Sequence, residues 1–142
     1  MRSFVAALLV GLAPAVLAAG PVGHIKVASG DVTVEREGKR LPVQPGATVL
    51  EADVVRTGAD GSVGVTFTDN SLISAGPNSV LVVDRYAFDS TTHAGKFDAT
   101  LRKGTLAVIS GKMVKQSPDA MRVRTPASIM GVRGTEFVVR VD

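Results

Sequence analysis

The sequence has no cysteine and no tryptophan, and only one tyrosine (Tyr86) and two histidines among its 142 residues. Without cysteine there is no disulfide framework, no thiol nucleophile and no thiolate metal site. A chain of this length can still bury enough surface to fold as one domain unaided. The two histidines, His24 and His93, do not stand in a ligand spacing such as H-x-x-x-H. A G-x-S-x-G nucleophile elbow is missing. The run Gly131 to Gly134 lacks the G-x-x-x-x-G-K-S/T order of a phosphate loop. Asp60 and Asp69 could serve as weak Ca²⁺ ligands, but no loop sets acidic residues at alternating positions. This inventory points away from an enzyme, and no cofactor or metal is expected. An unrecognised hydrolase is the reading with least support.

Charge of one sign is also scarce. The formal net charge is +3, and the cations are spread along the chain. The densest basic stretch, Lys112 to Arg124, is broken by Ser117-Pro118-Asp119. Nucleic-acid binders concentrate Lys and Arg in one run or on one face, so no nucleic-acid partner is expected.

Long apolar runs are limited to the N-terminus. Met1-Arg2-Ser3 is a short positive start, Phe4 to Leu12 is apolar, and Val16-Leu17-Ala18 sets small residues before a cut after Ala18. That is a secretory leader, residues 1–18, and it places the mature protein in the periplasm or outside the cell. The competing reading is a retained anchor. Phe4 to Ala19 falls short of the about 20 residues of a spanning helix, and Gly11 and Pro14 interrupt it. No membrane span is expected once the leader is removed.

What the chain does have is valine, alanine, leucine and 15 glycines. Valine suits a pleated surface, and glycine suits tight turns. From Val22 onward, short apolar runs alternate with turn signals. Val22–Ala28 and Val32–Val34 read as strands, with a polar hairpin tip at Glu35–Lys39. Pro45-Gly46 is a turn, and Val49–Thr57 reads as extended. Ser62 to Thr68 puts Val63, Val65 and Phe67 on one face, the pattern of a half-buried strand. Asp69-Asn70 predicts a tight turn. Leu72–Ala75 returns, and Val80–Val83 suits a strand covered on both faces. Phe97, Ala99 and Leu101 alternate with Lys96, Asp98, Thr100 and Arg102. Lys103-Gly104 predicts a turn, Leu106–Ile109 a buried run and Ser110–Ala120 a polar loop. Met121–Thr125 reads as extended, Pro126–Gly134 as a turn region and Thr135–Val141 as the last strand. No helix of ordinary length is expected. The fold class is all-β, a single domain of short strands arranged as a β-sandwich or a β-solenoid-like coil. The turns at Gly58, Gly76 and Gly104 share a theme without a strict repeat.

The order of certain residues is more specific than the pattern. Gly46 to Asp53, Val55-Arg56-Thr57-Gly58, Gly61-Ser62, Phe67 to Ser71 and Pro77-Asn78-Ser79 are followed by Leu101-Arg102-Lys103-Gly104 and Val123-Arg124-Thr125-Pro126. The set ends in Gly131-Val132-Arg133-Gly134-Thr135-Glu136-Phe137. Taken in order, these segments resemble a FecR domain, covering residues 23–141. The resemblance implies an extracytoplasmic β domain. Its best-known members signal from an outer-membrane transporter to a cytoplasmic sigma factor through a membrane helix. Neither the cytoplasmic segment nor a durable membrane helix is expected here, and the sequence is more similar to stand-alone exported FecR-domain proteins.

The motif residues have structural explanations. Gly58, Gly61, Gly104, Gly131 and Gly134 are expected at positive φ or close backbone approaches. Asp69 is expected to bond its own turn, Thr125-Pro126 to end a strand, and Glu136 to pair with Arg133 or Arg124. The functional expectation is a protein-interaction module in envelope sensing or signalling. A turn-rich edge at Arg56, Asp69, Arg133 and Glu136 would contact an unidentified protein partner; the sequence sets no oligomeric state. The alternative is a structural or surface-associated β protein binding matrix or glycan.

Overall fold

The computed structural model describes residues 20–132 and 136–142. The expected leader, residues 1–18, and Arg133, Gly134 and Thr135 lie outside the described residues. Among the described residues, twelve strands and one short helix follow each other. They begin with β1 (Gly23–Ser29), β2 (Val32–Arg36), β3 (Lys39–Pro42) and β4 (Thr48–Val49). Next come β5 (Val54–Thr57), β6 (Ser62–Phe67), β7 (Leu72–Ala75) and β8 (Val80–Phe88). The last are β9 (Gly95–Ile109), α1 (Lys112–Gln116), β10 (Met121–Arg124), β11 (Ile129–Gly131) and β12 (Glu136–Val141). The fold is all-β, as the alternation and the glycine turns predict.

Almost every pairing is antiparallel, and the sheet is one continuous curled half-barrel with two leaves. The first leaf runs β12-β9-β7-β6-β1-β4 and the second runs β3-β2-β5-β8-β9-β10-β11. Both contain β9. Its first part pairs with β8 and, in parallel, with β10; its last part pairs with β7 and β12. Of the two expected arrangements, the layered one is closer.

The leaves enclose one core. Ile25, Val65, Phe67, Ile73 and Leu106 come from the first, and Val34, Val55, Leu81, Val83, Phe97 and Leu101 from the second. Phe67 packs on Phe97 with ring centroids 4.6 Å apart, and Tyr86 closes the cluster at 5.5 Å from Phe67 and 5.0 Å from Phe97. Fully burying one such side chain is worth about 1.5–3 kcal/mol before entropy is counted. This shared core, far more than any surface ion pair, is what holds the leaves together.

Several sequence expectations need correction. Lys103-Gly104 does not turn the chain back. β9 continues through it, and Gly104 at φ 94° provides the bend by which the strand leaves one leaf for the other. Val49–Thr57 is not one extended run: Leu50 to Asp53 form a turn with Ala52 at φ 74°. The Ser110–Ala120 loop contains α1, which buries Met113 and Val114 in the core. The Pro126–Gly134 region includes β11. Gly131 has neither positive φ nor a close neighbour. The hairpin tip is narrower than Glu35–Lys39: it is Glu37-Gly38, both at positive φ, the two-residue turn whose twist matches its flanking strands.

Candidate functional site

Of the four residues expected at one edge, Arg56, Asp69 and Glu136 are described, and they sit on different elements. Arg56 lies on β5 in the second leaf, Asp69 in the β6–β7 turn of the first, and Glu136 at the start of β12. Arg133 lies outside the described residues. Arg56 donates from Nε to Glu35 at 3.0 Å. Glu136 is exposed, and no ion pair joins it to Arg124.

Asp69 is 1% exposed, and its carboxylate is committed to the interior. It accepts the Ser71 amide at 3.0 Å and the Ser71 hydroxyl at 2.8 Å, closing the turn through its side chain. It also accepts the Tyr86 hydroxyl at 3.3 Å and the Met113 amide at 3.4 Å. The Ser71 hydroxyl in turn accepts the Gly111 amide at 3.1 Å. One buried carboxylate thus fastens the β6–β7 turn, β8 and the entry to α1. Burial pushes the Tyr86 phenol up to about 12, and the negative charge of Asp69 adds to that effect.

A second polar knot joins the three similar turns. The Thr57 hydroxyl donates to the Gly76 carbonyl at 2.6 Å and accepts the Ser79 amide at 2.9 Å. Asn78 donates to the Gly58 carbonyl at 3.0 Å, and the Ser79 hydroxyl accepts the Thr105 amide at 3.0 Å. The turns at Gly58 and Gly76 and the bend at Gly104 therefore meet in space. A third knot closes the curl. Arg36 on β2 donates to both oxygens of buried Asp53 at 2.9 and 2.8 Å, and to the Thr48 carbonyl of β4 at 3.3 Å. Its hydrogen bonding to Asp53 raises the guanidinium above its ordinary value.

With Thr57, Gly58, Asp69, Ser71, Asn78 and Ser79 committed to these knots, the outer faces remain. The strands of the first leaf carry few charges there. The second leaf carries a groove of about 460 Å³ lined by Asp84, Arg85, Lys96, Asp98, Thr100, Arg122 and Arg124. The ladder sets Asp98 between Arg122 on β10 and Arg85 on β8. Asp84 accepts the Thr100 hydroxyl at 2.5 Å. None of the four cations forms an ion pair with a described residue. They come from the β8–β9 hairpin and from β10, which follows only after α1. Sequence reasoning missed the groove; its one local sign was the alternation of Lys96, Asp98 and Thr100 with the buried residues of β9.

The histidines are not near each other. His24 is exposed on β1 beside a shallow depression with Thr48, Thr66 and Asn70. His93 lies in the β8–β9 turn, stacked on Phe88 at 6.0 Å. Among the described residues, no three His, Asp or Glu side chains gather to hold a metal ion. No helix among them is long and apolar enough to cross a membrane.

A family model described as FecR protein matches residues 53–142. Nothing matches significantly among curated proteins or solved structures.

Proposed function

The chain belongs to the FecR protein family, and from that premise we propose that it is an exported, non-enzymatic module of envelope sensing or signalling that receives a protein partner on the outer face of its second leaf. The family is one of sensing and regulatory domains. The single observation that carries the surface assignment is the groove in which Arg85, Lys96, Arg122 and Arg124 converge, none of them in an ion pair with a described residue. The ladder fixes the spacing of these cations along and across the strands, so their pattern is set before a partner arrives. Desolvated charge pairs across an interface favour the right partner and repel wrong ones. Export rests on the leader-type N-terminus.

Matrix or glycan binding has less support. Sugar recognition draws on exposed rings, whereas Phe67, Tyr86 and Phe97 are buried together. The test is photo-crosslinking in intact envelopes, with a photoreactive residue at Thr100 on the groove wall. A protein adduct that disappears in the double variant Arg122→Glu, Arg124→Glu supports the reading. No adduct, or one indifferent to the double variant, would overturn it.

A further inference from the structure

Strand β11 is the open edge of the second leaf and pairs, among the described residues, only with β10. Its middle residue, Met130, packs against the core, whereas Ile129 and Gly131 face outward. Ile129 is 59% exposed. Sheet edges are commonly guarded by lysine, proline or an inward charge, and none of these stands in Ile129-Met130-Gly131.

The register couples this edge to the groove. Ile129 lies opposite Arg124 and Gly131 opposite Arg122. No described residue lies within 4 Å of the place a Gly131 side chain would occupy. The Arg122 guanidinium is therefore approachable from the edge across a position with no side chain. Neighbouring strands lie about 4.8 Å apart, so a strand added to β11 would stand about 10 Å from β10. An arginine and a glutamate reaching towards each other close that gap.

The charges also favour one class of partner. A uniform polyanion laid along the groove would meet Asp84 and Asp98 as well as the cations. A polypeptide can place a single carboxylate where Arg122 is accessible and keep the other positions neutral. Resting on the partner-surface reading above, we propose that β11 accepts an added strand from a partner protein, an extended segment with a carboxylate opposite Gly131 and an apolar side chain opposite Ile129. Those two partner residues are two apart, because residues on one face of a strand recur with period two. The ladder bonds to β11 are few and all needed, and the charge pair and the Ile129 contact select the partner.

The test is fluorescence anisotropy on the full chain with a labelled octapeptide. Glutamate and valine alternate on one face of the peptide and threonine occupies the other. It is expected to bind at least about tenfold more tightly than its lysine-for-glutamate counterpart. Arg122→Glu should reverse that preference, with circular dichroism verifying that the variant stays folded. N-methylating alternate peptide nitrogens in one frame, but not the other, should abolish binding. The proposal is overturned by no binding, by equal binding of the two peptides, or by binding indifferent to N-methylation in both frames. Heparin binding more tightly than the peptide would overturn it in favour of a polyanion. A dimer of the chain that excludes the peptide would overturn it in favour of a second copy. The two readings can fail separately. Peptide binding without an envelope adduct removes the envelope role and keeps the edge assignment, whereas an adduct that survives Arg122→Glu alone removes the edge assignment.

Discussion

Asp69 holds Ser71 twice, accepting its amide at 3.0 Å and its hydroxyl at 2.8 Å, with both residues 1% exposed. The Ser71 hydroxyl relays this hold to the Gly111 amide, so the β6–β7 turn also positions the start of α1. Asp69→Ala would leave several buried donors without an acceptor. Hydrogen bonds to charged groups are worth more than neutral ones, and an unsatisfied buried donor costs its full desolvation. The expected loss is about 3–4 kcal/mol, read as a lower midpoint in urea unfolding. Asp69→Asn keeps an acceptor and should lose roughly half as much. Equal stability for all three proteins would refute this account of the knot.

Tyr86 is the only tyrosine in the chain, which makes its ionisation directly observable. Its folded value of about 12 is raised above the ordinary 10.0 by burial first, with the charge of Asp69 also raising it. Between those two values the folded state holds a proton that the unfolded state has released. Stability from this group is therefore complete below about pH 10 and is lost as pH rises towards about 12. Phenolate absorbance should rise near pH 12 in the folded protein and near 10 in denaturant. Tyr86→Phe should remove this component from the alkaline fall in stability. A folded-state midpoint at the ordinary value would show that the phenol is not shielded.

The strands were legible where one face alone is buried. Val63, Val65 and Phe67 lie inside as their alternation requires, and the continuous run Val80 to Val83 is buried on both faces. Asp69-Asn70 was legible because Asn70 tolerates its φ of 69°. The bend at Gly104 was misread because a glycine that ends a strand and one that bends it look alike in sequence. Only the partners on either side, β8 and β7, distinguish them. The turn at Ala52 carries no glycine, proline or asparagine signal at that residue, and α1 is too short for a helical period. The groove was illegible for a different reason. Ladder register, which no local window contains, brings Arg85, Lys96, Arg122 and Arg124 together.

Gly104 and Gly38 separate two reasons for needing glycine. Both have positive φ, at 94° and 76°. A side chain at Gly38 would meet nothing within 4 Å, whereas one at Gly104 would overlap Ser79. Gly38→Ala should cost about 1 kcal/mol, the strain of the left-handed backbone alone. Gly104→Ala adds a backbone collision inside the turn knot and should cost about 3 kcal/mol. Thermal unfolding of the two variants, measured side by side, tests the difference. Equal losses would mean that β9 can bend without its close approach to Ser79.

Arg36 and Arg56 each face one carboxylate, yet burial predicts unequal effects. Asp53, the partner of Arg36, is 1% exposed, whereas the side chains of Arg56 and Glu35 are both 31% exposed. Water screens the second pair, so Arg56→Ala should change stability by less than about 1 kcal/mol, and by less still in high salt. Arg36→Ala leaves the Asp53 carboxylate buried with the Leu50 amide at 2.8 Å but without its cation. Removing one member of such a pair costs about 3 kcal/mol or somewhat less here, because Arg36 itself is partly solvated. It also cuts the link from β2 to the Thr48 carbonyl, by which the curled sheet closes on β4. Hydrogen exchange should therefore quicken at β4 in Arg36→Ala and remain unchanged there in Arg56→Ala. Matching exchange rates at β4 in the two variants would show that the curl closes without the Arg36 contact.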